Sequence, residues 1–388
     1  MGTMNQPSAF YVNPRKRTVT MRTGYNQYQF DRTGRLNYAI MPRKVLKRGL
    51  DNRMLEVTVS DWPYAGMRTY RDLDDTEKSA WLGEVYGLAR EQMTLCLPKP
   101  TRSALHKVAD WTPEALARDS EAFHRVYKPV SILPPDEYHA LVVQVTEGCS
   151  YNRCAFCDFY RDRKFHIKSE EELRRHVKGI HTFLGDRVDD FTNVFLGDGN
   201  AFMIPTDGLV SALSILREEF GEVANAASTF MDTFTFDKKG DDELRAIRTA
   251  NLDTVYVGFE TGNDSLREWL KKPGDASTVL SALNRCKAAG FRLGVIVLVG
   301  VGGREIAQDH LKDTVRVLSE VKFTKGDTIY LSPFVEPEGI GYQSAMDALS
   351  LSPMSDLDIM GEMTRFKRSL EGLTPARLTH YFISEHIY

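Results

Sequence analysis

Two features of the 388-residue chain predict an α/β protein with a parallel sheet. Six short runs between Tyr138 and Phe334 are continuously apolar and not alternating, as strands covered on both faces are. Helical stretches separate them one by one. The resulting β-then-α repeats favour right-handed crossovers that close toward a barrel. An open doubly wound sheet fits the same pattern, and periodicity alone does not separate the two.

In chain order the strands are expected at 140–145, 193–196, 226–230, 254–259, 293–299 and 328–331. Helices are expected between them at 169–184, 206–220, 241–250, 276–289 and 305–321. Ser169 followed by Glu172 reads as a capping box, and Gly290 as a helix stop. Three regions follow: an amino-terminal extension over 1–135, partly helical and basic at its start; a core over 136–340; and a helical extension over 341–388. In the first, 75–92 and 112–127 look helical, and a proline-rich stretch over 128–136 leads into the core. In the last, 354–373 is the helix candidate.

Composition narrows the class. A net charge of −3, from 50 basic and 53 acidic residues, gives no global reason to expect nucleic acid. No apolar stretch approaches the length that spans a bilayer, so a cytoplasmic protein without a membrane span is expected. The amino terminus reads as disordered; Met1-Gly2 suggests myristoylation only weakly beside Pro7. Basic residues interleaved with Tyr11, Tyr25, Tyr28, Phe30 and Tyr38 could track an RNA strand, but solvated charges on a packed extension are the plainer reading.

Chemistry concentrates at Cys149, Cys154 and Cys157, directly after the first expected strand. Five cysteines in all, an odd number, argue against a disulfide framework. Three thiols within nine positions can hold three corners of a four-iron cluster, leaving one iron open to a second molecule. Zinc is the competing ligand reading, with His166 completing a Cys3His set, although no second thiol pair exists. Reactive groups of α/β barrels collect on the loops after strands, where these thiols lie. Cys96, between Leu95 and Leu97, and Cys286, within an expected helix, read as packing residues.

This run resembles the cluster motif of the radical S-adenosylmethionine superfamily, with Phe156 at the aromatic position before the third cysteine. The chain departs from the usual motif by placing four residues, Ser150 to Arg153, in the first gap. The resemblance implies a partial six-stranded (β/α)6 parallel barrel, a [4Fe-4S] cluster and S-adenosylmethionine. It implies an oxygen-sensitive enzyme in which one electron from the cluster splits the sulfonium. The 5′-deoxyadenosyl radical so formed abstracts hydrogen from a substrate. A reductant such as flavodoxin or ferredoxin is implied as partner.

Four later segments carry the resemblance further. Gly197-Asp198-Gly199 looks like the family's glycine-glycine-acid motif, which implies that these residues hold the cofactor's amino group. Ser228 or Thr229 implies a polar contact to its carboxylate or ribose; successive strand residues face opposite ways, so one of them points inward. Gly258-Phe259-Glu260-Thr261-Gly262 resembles a segment of the coproporphyrinogen-dehydrogenase and elongator-like branches and implies a cofactor bond from Glu260. The glycines at 300, 302 and 303 and the strand and turn over 328–339 fit adenine packing and a substrate-facing end. Cys96 and Cys286 are too few for an auxiliary cluster, and no Asp-x-His-x-x-Gly cobalamin motif is present. The expected substrate is a small molecule or natural-product precursor. RNA modification and a noncatalytic zinc or iron–sulfur module are the alternatives.

Overall fold

A computed structural model describes residues 10–59, 68–337, 339 and 341–388. The expectations for the amino terminus, and Glu338 of the last turn, lie outside the described residues. The chain divides into two compact units. One comprises Met1–Pro129, Gly179–Asp190 and Ser384–Tyr388; the other comprises Val130–Lys178 and Phe191–Ile383.

The first unit is built on seven antiparallel strands joined in sequence order: β1 (Tyr11–Pro14), β2 (Thr18–Thr23), β3 (Asn26–Asp31), β4 (Leu36–Met41), β5 (Lys44–Arg48), β6 (Met54–Val59) and β7 (Arg68–Asp72). Alternation makes one face apolar: Met21, Tyr28 and Phe30 are buried while Arg22 is exposed. Helices α1 (Asp75–Glu91), α2 (Lys99–Ala109) and α3 (Pro113–Val126) complete the set, and Leu82, Tyr86 and Val108 join the sheet's buried residues in one core. Asp74 and Glu77 cap α1 reciprocally. The expectation of a partly helical extension missed this sheet, because its strands hide in a basic stretch. Much of that charge is spent internally. Arg32 pairs with Asp190, Arg35 with Asp119, Lys44 with Glu56 and Lys47 with Glu385, and Arg48 is buried. Cys96 is exposed, which corrects its reading as a buried residue.

In the second unit β8 (Leu141–Gln144) is followed by a short antiparallel pair, β9 (Thr146–Glu147) and β10 (His166–Ile167). Helix α4 (Glu170–Leu184) comes next in the chain. Then β11 (Val194–Gly197), β12 (Ala227–Met231), β13 (Leu252–Glu260), β14 (Arg292–Val299) and β15 (Thr328–Pro333) alternate with α5 (Thr206–Phe220), α6 (Asp241–Thr249), α7 (Asp264–Trp269), α8 (Ala276–Ala288) and α9 (Gly303–Ser319). All the sheet's neighbours are parallel, in the order β8, β11, β12, β13, β14, β15. A seventh strand, β16 (Arg377–His380), adds beside β15 after helices α10 (Tyr342–Ala348) and α11 (Asp356–Leu370). The expected helical extension, with its helix over 354–373 and a tail beyond, did not include it; four residues without an apolar run give no strand signal.

The sheet curves strongly. Phe195 on β11 and Tyr256 on β13 lie 6.2 Å apart between ring centroids, with β12 between their strands. Tyr256 and Tyr330 meet at 6.2 Å across β14, where Gly294 leaves room that a Cβ would deny to the Tyr256 ring. These rings, with Phe230, fill the interior as in a barrel. The fold is the partial barrel expected, with one strand more.

Candidate active site

The cysteine loop runs between β9 and β10, whose pairing of Glu147 with His166 ties its ends together. Lys168 reinforces the tie through Glu147 at 2.7 Å. Inside the loop, Asn152 takes the left-handed backbone (φ 49°) that asparagine tolerates. Its side-chain amide donates to the Tyr160 carbonyl at 2.8 Å. Arg161 donates to the carbonyls of Cys154 and Cys157 at 3.0 and 3.3 Å. The Ala155 N–H donates to the Leu270 carbonyl after α7. The wider first gap is therefore an ordered turn.

All three thiols are half-buried. Burial pushes the Cys157 thiol up to about 12 and raises that of Cys154, so neither gives up its proton readily without a metal. His166 is exposed and bonded to Glu172, so it does not complete a Cys3His set. Cys286 lies in the core of α8 with its sulfur 3.7 Å from that of Met231.

Asp198 does not face an open site. Its Oδ1 accepts from Gln144 at 2.8 Å, and its Oδ2 accepts from the Gly148 N–H and from Arg163, both at 3.0 Å. The carboxylate is a brace for the loop's first residues, and the expected contact to a cofactor amine is not what its surroundings indicate. Gly197 lines the same strand end, its carbonyl accepting from Thr146. Gly199 is closely packed: a Cβ would lie 3.0 Å from both the Cys149 Cβ and the Tyr160 ring, so a side chain would crowd the cysteine loop. The polar group left available is Asn200, which sequence reasoning passed over. It is 2% exposed, its amide donates to Asp232 beyond β12, and its Oδ1 has no partner. Thr233, next in the chain, also carries a buried hydroxyl without a partner.

Ser228 and Thr229 are both placed away from this end. The Ser228 hydroxyl bonds the Val194 carbonyl at 3.4 Å and Glu137, among residues at the amino ends of the strands. Thr229 bonds the Leu196 carbonyl at 2.9 Å. The expectation for Ser228 is corrected accordingly, and Asp232 and Thr233 are the polar groups past this strand's carboxyl end.

Glu260 ends β13 at a break in register with β14, in the left-handed backbone region (φ 62°). That conformation is unfavourable for glutamate and persists because the surroundings enforce it. Arg267, fully buried, donates to the carbonyls of Phe259 and Thr261 on either side. The neighbouring Thr261 hydroxyl meets His310 Nδ1 at 2.7 Å, while Nε2 faces the Leu298 carbonyl at 3.1 Å. A carbonyl accepts only, so Nε2 carries the proton and Nδ1 accepts from Thr261. Burial lowers His310 to about 4 and keeps it neutral.

The Glu260 carboxylate pairs with Lys272 at 3.1 Å. Lys272 carries no motif, and only its place in the fold exposes it. Its ammonium lies 5.8 Å from the centroid of the Phe156 ring, within the cysteine loop. Burial pulls its pKa down, but Glu260 and then Cys154 outweigh this and raise it overall, so the charge is retained. Gly258 leaves the space: a Cβ there would strike Glu260 and approach the Lys272 nitrogen to 3.0 Å. Phe156 itself, with Trp269 and Phe334, packs against the apolar cluster that includes Leu266, Leu270 and Leu298.

Residues 143–318 match the profile of the Radical SAM superfamily. No curated protein matches the chain. Similar solved structures include coproporphyrinogen III oxidase from Escherichia coli, 16% identical over 59% of this chain and 52% of that one, with a TM-score of 0.44. Methylornithine synthase is 14% identical over 77% of this chain and 85% of its own, at a TM-score of 0.41. Elp3 of the archaeon Methanocaldococcus infernus is 12% identical over 62% and 56%, at 0.42. The chain spans about half the length of the coproporphyrinogen oxidase. Residues 143–318 are thus a domain of the Radical SAM type, a superfamily whose enzymes work with a [4Fe-4S] cluster and S-adenosylmethionine.

Proposed function

We propose that this enzyme abstracts hydrogen from a small molecule held inside the barrel, above the layer of Phe195, Phe230, Tyr256 and Tyr330. The carrying observation is the pairing of the three-thiol loop with unpartnered polar atoms at the neighbouring strand ends. Cys149, Cys154 and Cys157 would hold the cluster. Gly199 presses its backbone against Cys149 and leaves no side chain in the way. The open Oδ1 of Asn200 suits a donor such as an amino group, and Asp232 beside it supplies negative charge. Glu260 would bond the cofactor's hydroxyls. Phe156, Gly197 and Gly199 shape the cradle, while Asp198 holds the loop and not the ligand. When bound, the cluster and the sulfonium together supply a 5′-deoxyadenosyl radical.

The residues named do the rest: they orient the cofactor and exclude water. Limited room inside the barrel supports this substrate class. Side chains of strands two apart touch across Gly294, so the interior accepts a small molecule far more readily than a folded RNA. Ser332, buried on β15 with a hydroxyl that has no partner, offers one polar contact to it. The internal ion pairs of the amino-terminal basic stretch weaken the RNA reading further. A one-electron donor such as flavodoxin or ferredoxin would reduce the cluster. No described helix is long and apolar enough to cross a membrane, and a cytoplasmic setting is part of this proposal.

Anaerobic reconstitution followed by reduction with adenosylmethionine tests the reading. Formation of 5′-deoxyadenosine and methionine is expected. A fully loaded cluster that yields neither product would exclude it and leave a noncatalytic iron–sulfur module.

A further inference from the structure

We propose that Lys272 is the fixed counter-charge of the metal centre, setting how easily the cluster accepts an electron. This rests on the cluster reading above. The Lys272 side chain is largely buried, 13% exposed, and its ion pair with Glu260 at 3.1 Å stands beside the cysteine loop, 5.8 Å from the Phe156 ring. Burying a cation and a carboxylate together is unfavourable unless a structure is built to hold them. Here it is built. Arg267 donates to the carbonyls flanking Glu260, at Phe259 and Thr261, and also to those of Pro273 and Gly274, immediately after Lys272. One buried guanidinium thus fixes both members of the pair.

A backbone bond of the loop points the same way. Leu270, two residues before Lys272, accepts from the Ala155 N–H between Cys154 and Cys157, so the lysine and the ligand loop move as one piece. Gly258 keeps the space beside the Glu260–Lys272 pair free of a side chain. A positive charge held at fixed range in a medium of low dielectric stabilises the more negative, reduced state of a cluster. Glu260 moderates that field. The pair therefore acts as a calibrated charge, with Lys272 as its positive pole and a positioning and tuning residue, not a ligand.

The test compares wild type, Lys272→Met, Lys272→Arg and Glu260→Gln after anaerobic reconstitution, without adenosylmethionine. Iron and sulfide content and the midpoint potential from an EPR-monitored titration are read. Lys272→Met is expected to disfavour the reduced state at least tenfold, which is about 59 mV more negative for a one-electron couple. Lys272→Arg should stay near wild type, and Glu260→Gln should move in the positive direction. Equal potentials in all four loaded proteins would overturn the proposal. So would equal shifts in Lys272→Met and Lys272→Arg, which would mean packing and not charge, or a Lys272→Met potential that stays at the wild-type value. Should Lys272→Met fail to load, the sign of the Glu260→Gln shift decides. A wild type that holds no cluster sinks the parent reading instead.

Discussion

Asp198 and Asn200 divide between them a role that the sequence placed on one residue. Asp198 has both oxygens engaged by Gln144, Gly148 and Arg163, so Asp198→Asn weakens the loop and not the ligand site. Its expected effect is a lower iron content after reconstitution, measured by iron and sulfide analysis. Asn200→Leu should leave iron content unchanged and weaken adenosylmethionine binding about tenfold, because a hydrogen bond to a charged group contributes about 1.5 to 3 kcal/mol. Equilibrium dialysis of the reconstituted protein separates the two. The three cysteines and Glu260 stand out as candidates in the sequence because motif and spacing carry them. Asn200 was not, since its distinction is an unpartnered atom, which only tertiary packing creates. Lys272 was hidden for the same reason: one lysine in a Lys-Lys-Pro turn looks like solvated charge until the fold buries it.

At the level of elements, α9 governs the Glu260 turn through His310, Asp313 and Thr314. Thr314 accepts from the Gly262 N–H at 2.9 Å, and Asp313 accepts from Asn263 at 2.7 Å. His310 makes this brace sensitive to acid. Its folded pKa of about 4 lies below the unfolded value of about 6.5, so the unfolded chain binds the extra proton between them. The contribution is complete above pH 6.5 and is lost as pH falls through about 4, up to about 3 kcal/mol. Denaturant melts at pH 7 and pH 5 should therefore show a pH-dependent loss that His310→Gln largely removes. An unchanged slope would remove His310 from the account. The parallel strands and their helices were readable from continuous apolar runs and caps. β16 and the meander β1–β7 were not: the former is short and polar, the latter alternates within charged sequence. Helix α7, six residues long, is also too short to show a period.

For the whole molecule, the sheet's order and curvature bring distant segments to one mouth. Cys149 and Glu260 are 111 positions apart in sequence, yet Phe156 and Lys272 meet there. The fold class was legible as a pattern, but the pattern alone left a barrel and an open sheet equally allowed; the ring packing across Gly294 that separates them is a tertiary contact. The amino-terminal unit tests the competing RNA function. With Arg32, Arg35, Lys44 and Lys47 held in ion pairs, RNA binding should be weak and activity on the true substrate should vary little between 50 and 200 mM salt. A steep salt dependence would restore that alternative. The most direct measurement of the central claim is the EPR spectrum of the reduced protein with and without adenosylmethionine. An iron site left open by three thiols predicts a [4Fe-4S] signal that changes when the cofactor is added. A signal indifferent to the cofactor, or a protein that holds zinc and gives no signal, would contradict it.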